Sequence, residues 1–211
     1  MTTPARKITN TGTKKNIGRF FSLKMHSGVW YESLLERDYM YLLEIDPDVL
    51  SYCSQPLKIA YKQENKQLKY TPDFLVERSQ KKQIIEIKPK KLINSDKNTR
   101  LFQCVAPIVQ SLSWDFLVIT DEMIRREPLL SNIKLLYRYA PVKLTPQLTI
   151  TCHKYFQSQP PISLQKAEDY LSKKGIFRDS LLKLIFIGFL STDLTIPIGN
   201  SSLISLYQTM N

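Results

Sequence analysis

The stretch YTPDFLVERSQKKQIIEIKPKK, Tyr70 to Lys91, constrains the fold of this chain more than any other. Its two apolar runs are too short for helices and flank the polar segment RSQKKQ, which predicts two antiparallel strands joined by a turn. Residues an even number apart share one face of a strand, so Glu86 and Lys88 point one way while Ile85 and Ile87 pack behind them. Asp73 is expected just inside the first strand, where antiparallel pairing carries it toward Glu86. Two carboxylates at that range repel each other unless positive charge lies between them. A hairpin built only for packing has no need of such a group.

Mg²⁺ is the simplest neutraliser, because it takes hard oxygen ligands and uses one or two carboxylates together with water and substrate phosphate; Mn²⁺ is the expected substitute. An ion held there polarises a phosphodiester and activates a water, and Lys88 would steady the charge developing on phosphorus or position that water. The segment upstream, YESLLERDYMYLLE from Tyr31 to Glu44, has the periodicity of an amphipathic helix and places Glu32 and Glu36 one turn apart on one flank. Either glutamate could complete the acidic set; spacing does not choose between them. Asp38 falls on the apolar side of that helix, as a hydrogen-bonded core acid would.

The remaining elements predict an α/β fold. RFFSLKM reads as a strand, DPD at 46–48 stops the helix, and LKIAYK, QLKYTPDFLVE and QIIEIKP read as short strands. A helix over Ser95 to Leu112 follows, then WDFLVIT as a strand buried on both faces, then LLSNIKLLYRY closing the unit. From Pro141 onward three helical segments precede a β-prone tail with a Gly-Asn turn, a winged-helix layout. The expected division is a basic flexible arm over 1–16, a catalytic unit with a mixed central sheet over 17–140, and a winged-helix-like domain over 141–211.

Thirty Lys and Arg against 19 Asp and Glu leave a net charge of +11, which favours a polyanionic partner. The excess lies in the first unit: no acid precedes Glu32, and residues 78–100 hold eight basic side chains against Glu86 and Asp96. Lys90, Lys91, Lys97 and Arg100 are the expected contacts to a DNA phosphate backbone. Cys53, Cys104 and Cys152 are odd in number and outside any paired spacing, so they are expected as free, buried or half-buried thiols. His26 and His153 lack partners at ligand spacing, and Trp30 and Trp114 are expected as core aromatics. No run approaches the roughly 18 apolar residues of a membrane span, and the first residues hold no apolar signal segment, so the expected location is the cytoplasm.

The order PD, hairpin, E-x-K resembles the signature of restriction-endonuclease-like nucleases, in which an acid on the preceding helix often completes the metal site. ESLLERDYMYLLEIDPDVLSYCSQPLKIAY, YTPDFLV and IIEIKP, taken with the tail LLKLIFIGFLSTDL, resemble the TnsA endonuclease subunit of heteromeric transposases. The resemblance implies a restriction-endonuclease-like fold with a C-terminal winged helix. It implies Glu36 as the helix acid, Asp73 and Glu86 as metal positions and Lys88 as the catalytic lysine; Gln55 in SQP matches a recurring family residue, and Glu32 stays the alternative or supporting acid that the spacing offers. Some relatives carry Gln at the position of Glu86. It also implies cleavage of the 5′ strands at double-stranded transposon ends, a TnsB-type transposase that cuts the 3′ strands, a TnsC-type ATPase regulator, and association with the nucleoid when assembled. Two further readings of the same residues are a stand-alone restriction or repair nuclease and a non-catalytic DNA-binding adaptor.

Overall fold

The computed structural model describes residues 16–207; the basic arm expected over 1–16 lies almost wholly outside them. These residues form two compact units that divide at Arg125/Arg126. The first contains strands β1 (Gly18–Ser22) and β2 (Ser27–Tyr31), helix α1 (Leu34–Ile45), and strands β3 (Val49–Ser54), β4 (Ile59–Gln63), β5 (Lys66–Tyr70), β6 (Phe74–Arg78) and β7 (Lys82–Lys88). Helices α2 (Lys90–Ile93) and α3 (Asp96–Ser111), strand β8 (Asp115–Thr120) and helix α4 (Asp121–Ile124) complete it.

The central sheet has the order β3-β6-β7-β8, antiparallel except for the parallel pair β7/β8, and is therefore mixed as expected. With a helix packed on each face it fits a restriction-endonuclease-like fold. On one face Tyr39 of α1 meets Phe74, with ring centroids 5.7 Å apart. On the other, Ile84 is buried with Val105 and Val109 of α3 and with Ile59 and Tyr70 of the β4–β5 hairpin. Central position explains why Gln83 to Ile87 are all buried on β7. Strand β8 was expected to be buried on both faces, but it is the sheet edge, and Asp115 to Ile119 are only half-buried.

Three boundaries differ from the sequence reading. Tyr31 belongs to β2, which pairs with β1 from Gly18↔Tyr31 to Ser22↔Ser27, so the helix begins at Leu34 and Glu32 lies outside it. The strand expected to run through QLKYTPDFLVE is broken at Thr71–Asp73, because Pro72 supplies no N–H to a ladder, and Asp73 precedes β6 instead of lying inside it. The segment LLSNIKLLYRY forms helix α5 (Leu129–Tyr139) of the second unit, not the end of the first. Its buried Leu130, Ile133 and Leu136 need an apolar partner, and α5 packs on helix α8 (Arg178–Phe186), with Tyr137 edge-on to Phe186 at 6.0 Å.

Helix α1 starts with a capping box: the Glu36 N–H donates to Ser33 Oγ at 3.1 Å, and Glu36 Oε2 accepts from the Glu32 N–H at 2.8 Å. Its last turn carries buried Glu44, whose carboxylate accepts from Ser22 Oγ (2.6 Å), the N–H groups of Leu23 (3.0 Å) and Lys24 (3.3 Å), and Tyr52 Oη (2.6 Å). This one side chain ties α1, β3 and the β1–β2 turn together. Glu44→Ala leaves those buried donors without an acceptor and is expected to lower unfolding free energy by about 3 kcal/mol or more, read by urea denaturation; Glu44→Gln, which keeps one oxygen, is expected to lose less.

The second unit adds helix α6 (Pro146–Gln157), strand β9 (Ile162–Ser163), helix α7 (Leu164–Leu171), a 3₁₀ turn at Ser172–Lys174, and strands β10 (Leu190–Thr192) and β11 (Leu203–Leu206). The three strands form an antiparallel sheet in the order β10-β11-β9. Asn132 of α5 donates to the carbonyls of Leu194 (2.9 Å) and Ile196 (2.7 Å) and accepts from the Ile198 N–H (3.0 Å), which fastens the segment between β10 and β11. The three cysteines are free, Cys152 buried and Cys53 and Cys104 half-buried, as expected. Among the described residues no helix is long and apolar enough to cross a membrane.

Candidate active site

The register of the β6/β7 pair, Phe74↔Ile85, sets Asp73 across from Glu86 one step beyond the ladder. Asp73 Oδ2 accepts the Ile87 N–H at 2.7 Å, so the carboxylate is fastened to the backbone of the strand that carries Glu86 and Lys88. Its own carbonyl accepts the Gln55 N–H at 2.9 Å. Gln55 is buried and holds a left-handed φ of 48°, a strained backbone for a residue with a Cβ. It therefore positions Asp73 through the main chain, a role its place in SQP does not announce.

Glu86 is 3% exposed. Its Oε1 pairs with Lys88 Nζ, two residues along the same face, and its Oε2 accepts the Tyr70 hydroxyl from the end of β5. Burial, reinforced by the Glu86 charge, raises the Tyr70 hydroxyl far above the usual tyrosine value, so it stays protonated and donates. Tyr70 is a site residue that the sequence reading missed. The signal was a tyrosine at the buried end of an otherwise exposed strand, three residues before Asp73.

Glu36 reaches the group from the start of α1. Besides its backbone contacts, its Oε1 accepts the Ser33 hydroxyl at 2.9 Å. Burial raises the Glu36 carboxyl, and the neighbouring Glu32 charge adds to that while Lys88 opposes it. Asp73 stands well above the usual aspartate range, first through burial and then through the charges of Glu86 and Glu36, with Lys88 opposing. Burial would lower Lys88, yet Glu86, Asp73 and Glu36 outweigh it and hold the ammonium protonated beyond the usual lysine range. Asp73, Glu86 and Lys88 thus meet at the end of β7, and Glu36 lies close enough for its charge to bear on Asp73 and Lys88. Glu32 is buried beside Glu36 but precedes the N-cap Ser33, so the two glutamates do not share a helix flank as expected.

The donor set is chemically suited to Mg²⁺: carboxylate oxygens in a partly desolvated spot, with Asp73 raised first by burial and then by the charges of Glu86 and Glu36, a repulsion that a cation would relieve. Among the described residues no three His, Cys, Asp or Glu side chains form a ready-made cage.

The other sequence candidates divide. Lys90 pairs with Glu122 and Arg100 with Glu64 at 3.1 Å, so two of the four expected phosphate contacts already have anionic partners; Lys91 and Lys97 are exposed and make no ion pair among the described residues. Asp38 is the expected satisfied core acid, held by Arg125 Nε at 3.0 Å and Arg37 Nη2 at 3.3 Å. His26 is exposed in the β1–β2 turn, and His153 lies edge-on to Phe189 at 6.3 Å. Trp30 and Trp114 are half-buried, each with a cation over its ring, Arg19 at 5.3 Å and Lys82 at 6.0 Å.

Comparison with curated proteins finds no match. Residues 46–121 match the family described as TnsA-like endonuclease N terminal. The match takes in Gln55, Asp73, Glu86 and Lys88, while Glu36 and the C-terminal helices lie outside it. The segment that carries Asp73 just before β6 and Glu86 and Lys88 on β7 is thus similar to the TnsA-like endonuclease N-terminal domain.

Proposed function

We propose that this protein is a Mg²⁺-dependent DNA endonuclease that cleaves the 5′ strands at transposon ends as one subunit of a heteromeric transposase. The observation that carries the reading is the convergence of Asp73, Glu86 and Lys88 at the end of β7 within a TnsA-like domain. Asp73 and Glu86 would hold the ion, with water and substrate phosphate completing its shell and the Glu36 carboxylate, fixed by its cap, adding negative charge nearby. Bound there, Mg²⁺ would polarise the scissile phosphodiester and supply an activated water.

The protein's own residues do the rest. Ile87 N–H and the Gln55 N–H fix the Asp73 side chain and carbonyl before substrate arrives. Tyr70 orients Glu86 by filling one of its oxygens. Lys88, protonated across the working range, supplies the charge that meets the developing negative phosphorane, and entry of a cation frees it from neutralising Glu86 alone.

A winged-helix reading of the second unit is supported by the order α6, β9, α7, α8, β10, β11 and by the antiparallel three-stranded sheet. Helix α8 stands where a reading helix would, yet Ser180, Leu181, Leu182, Leu184, Ile185 and Phe186 are buried and α5 packs on it. This favours sequence specificity supplied by a TnsB-type partner, with a TnsC-type ATPase as regulator.

The test is end cleavage in the reconstituted transposase, comparing Mg²⁺ with EDTA. The expected result is a 5′-strand cut at the transposon end in Mg²⁺, restored by Mn²⁺ and lost in EDTA. Full 5′ cutting in EDTA would remove the metal-dependent reading, and efficient cutting of arbitrary duplex by the chain alone would replace the transposase role with a stand-alone nuclease.

A further inference from the structure

The β4–β5 hairpin has two unlike faces. Its turn residues Glu64 and Asn65 both take positive φ, 47° and 62°, the two-residue turn that matches strand twist and locks the register Gln63↔Lys66 through Ile59↔Tyr70. Strand alternation then sends Ile59, Tyr61 and Tyr70 inward, where Ile59 and Tyr70 are buried against Val105 and Val109 of α3. The opposite face presents Lys58, Ala60, Lys62, Gln67 and Lys69, all exposed, with Lys69 across from Ala60 and Gln67 across from Lys62.

Three ammonium groups thus occupy one face, and none of them makes an ion pair among the described residues. Like charges gathered on one face of a ribbon destabilise it, so packing alone does not account for them. The single acid of the hairpin, Glu64, is turned to Arg100 on α3 and offers these lysines no relief. The arrangement contrasts with Lys81 and Lys82 in the neighbouring turn, which are paired with Asp115 at 2.6 Å and Glu77 at 3.4 Å.

Lys58 and Lys62 are four residues apart, about 13 Å along a strand, which spans roughly four steps of duplex at about 3.4 Å per step. Lys69 sits between them on the partner strand. Lys69 directly precedes Tyr70, whose side chain leaves by the opposite, buried face and touches Glu86, so this end of the ribbon adjoins the candidate active site.

We infer that Lys58, Lys62 and Lys69 form a phosphate-binding ribbon that seats the sugar-phosphate backbone of duplex DNA beside the Asp73–Glu86–Lys88 group. The inference rests on the nuclease reading for its choice of DNA as the polyanion but makes a separate prediction. Phosphate contacts position a duplex without reading its sequence, so the ribbon contributes affinity and register and leaves specificity to others.

The experiment measures binding of the full chain to a fluorescent 30-bp duplex in EDTA from 50 to 200 mM KCl. Lys58→Gln/Lys62→Gln/Lys69→Gln is expected to make the log K against log salt slope shallower by about 2.7, at about 0.9 per phosphate contact, so its affinity deficit narrows about fortyfold across that range. The loss is expected to be equal on a scrambled duplex, with a melting temperature no lower than wild type. The paired control Lys81→Gln/Lys82→Gln is expected to keep the wild-type slope. A triple variant with unchanged slope, or a control with the same shallowing, overturns the ribbon. Cleavage is scored separately: a chain that binds through these lysines but never cuts in the complete assembly loses the nuclease reading and keeps the ribbon.

Discussion

Asp73→Asn is expected to reduce strand cleavage by about a thousandfold or more while raising the melting temperature of the metal-free protein. Asn keeps an oxygen for the Ile87 N–H, so the strand junction survives. It removes a buried charge that faces Glu86 and Glu36. Lys88 offsets only part of that burden, so replacing this buried carboxylate by a neutral isostere is expected to yield about 1–2 kcal/mol, and about 2–4 °C per kcal/mol for a chain of this size. The pH dependence follows from the raised carboxyl. Its favourable contribution is complete below the unfolded-chain value near about 4 and is lost as pH rises through the higher folded value. The advantage of Asn therefore grows with pH and vanishes in acid. Differential scanning calorimetry in EDTA at several pH values checks it; a variant that melts lower than wild type at neutral pH would show that Asp73 serves packing more than chemistry.

Lys88→Ala is expected to have the opposite effect on stability and the same effect on activity. Lys88 is the cation that faces Glu86, Asp73 and Glu36 together, and its loss leaves three acids in a desolvated place. Breaking a buried pair by removing one partner costs about 3–5 kcal/mol. Mg²⁺ should then repair the variant more than it stabilises wild type, because a divalent ion replaces the missing charge. Urea titrations with and without MgCl₂ measure this. Equal Mg²⁺ effects on both proteins would mean that the acids do not share one ion, and an undiminished cleavage rate would remove Lys88 from the chemistry.

These predictions separate the two halves of the constellation. Asp73→Asn removes a destabilising charge and Lys88→Ala exposes one, yet both are expected to be inactive. A merely structural hairpin would move stability in one direction for loss of either partner and leave Mg²⁺ without influence.

Much of the fold could be read along the chain because its signals are local. Pro47 after Asp46 ends α1, Ser95 and Thr145 cap α3 and α6 at their side-chain oxygens, and period-two apolarity marks β6 and β7. Glu86 and Lys88 share a face because strands alternate, whatever else the protein does. The errors fell where a segment satisfied two local patterns. Tyr31 could open a helix or end a strand, and pairing with Gly18 of β1 decided for the strand. WDFLVIT has the composition of a central strand, but nothing in it says whether a neighbour lies on both sides.

Periodicity, proline and capping chemistry act over a few residues, so the sequence by itself determined the strand that bears Glu86 and Lys88, the strand that follows Asp73, the helix that bears Glu36, and the net positive charge. Only tertiary structure decided that Tyr70 donates to Glu86, that Gln55 holds the Asp73 carbonyl, that Arg125 reaches back to Asp38, and that α5 belongs with α8. Each of those contacts joins residues from different elements. Their partners were chosen by which buried polar or apolar group remained unsatisfied once the sheet and its helices had packed, and no window of neighbouring residues contains that information.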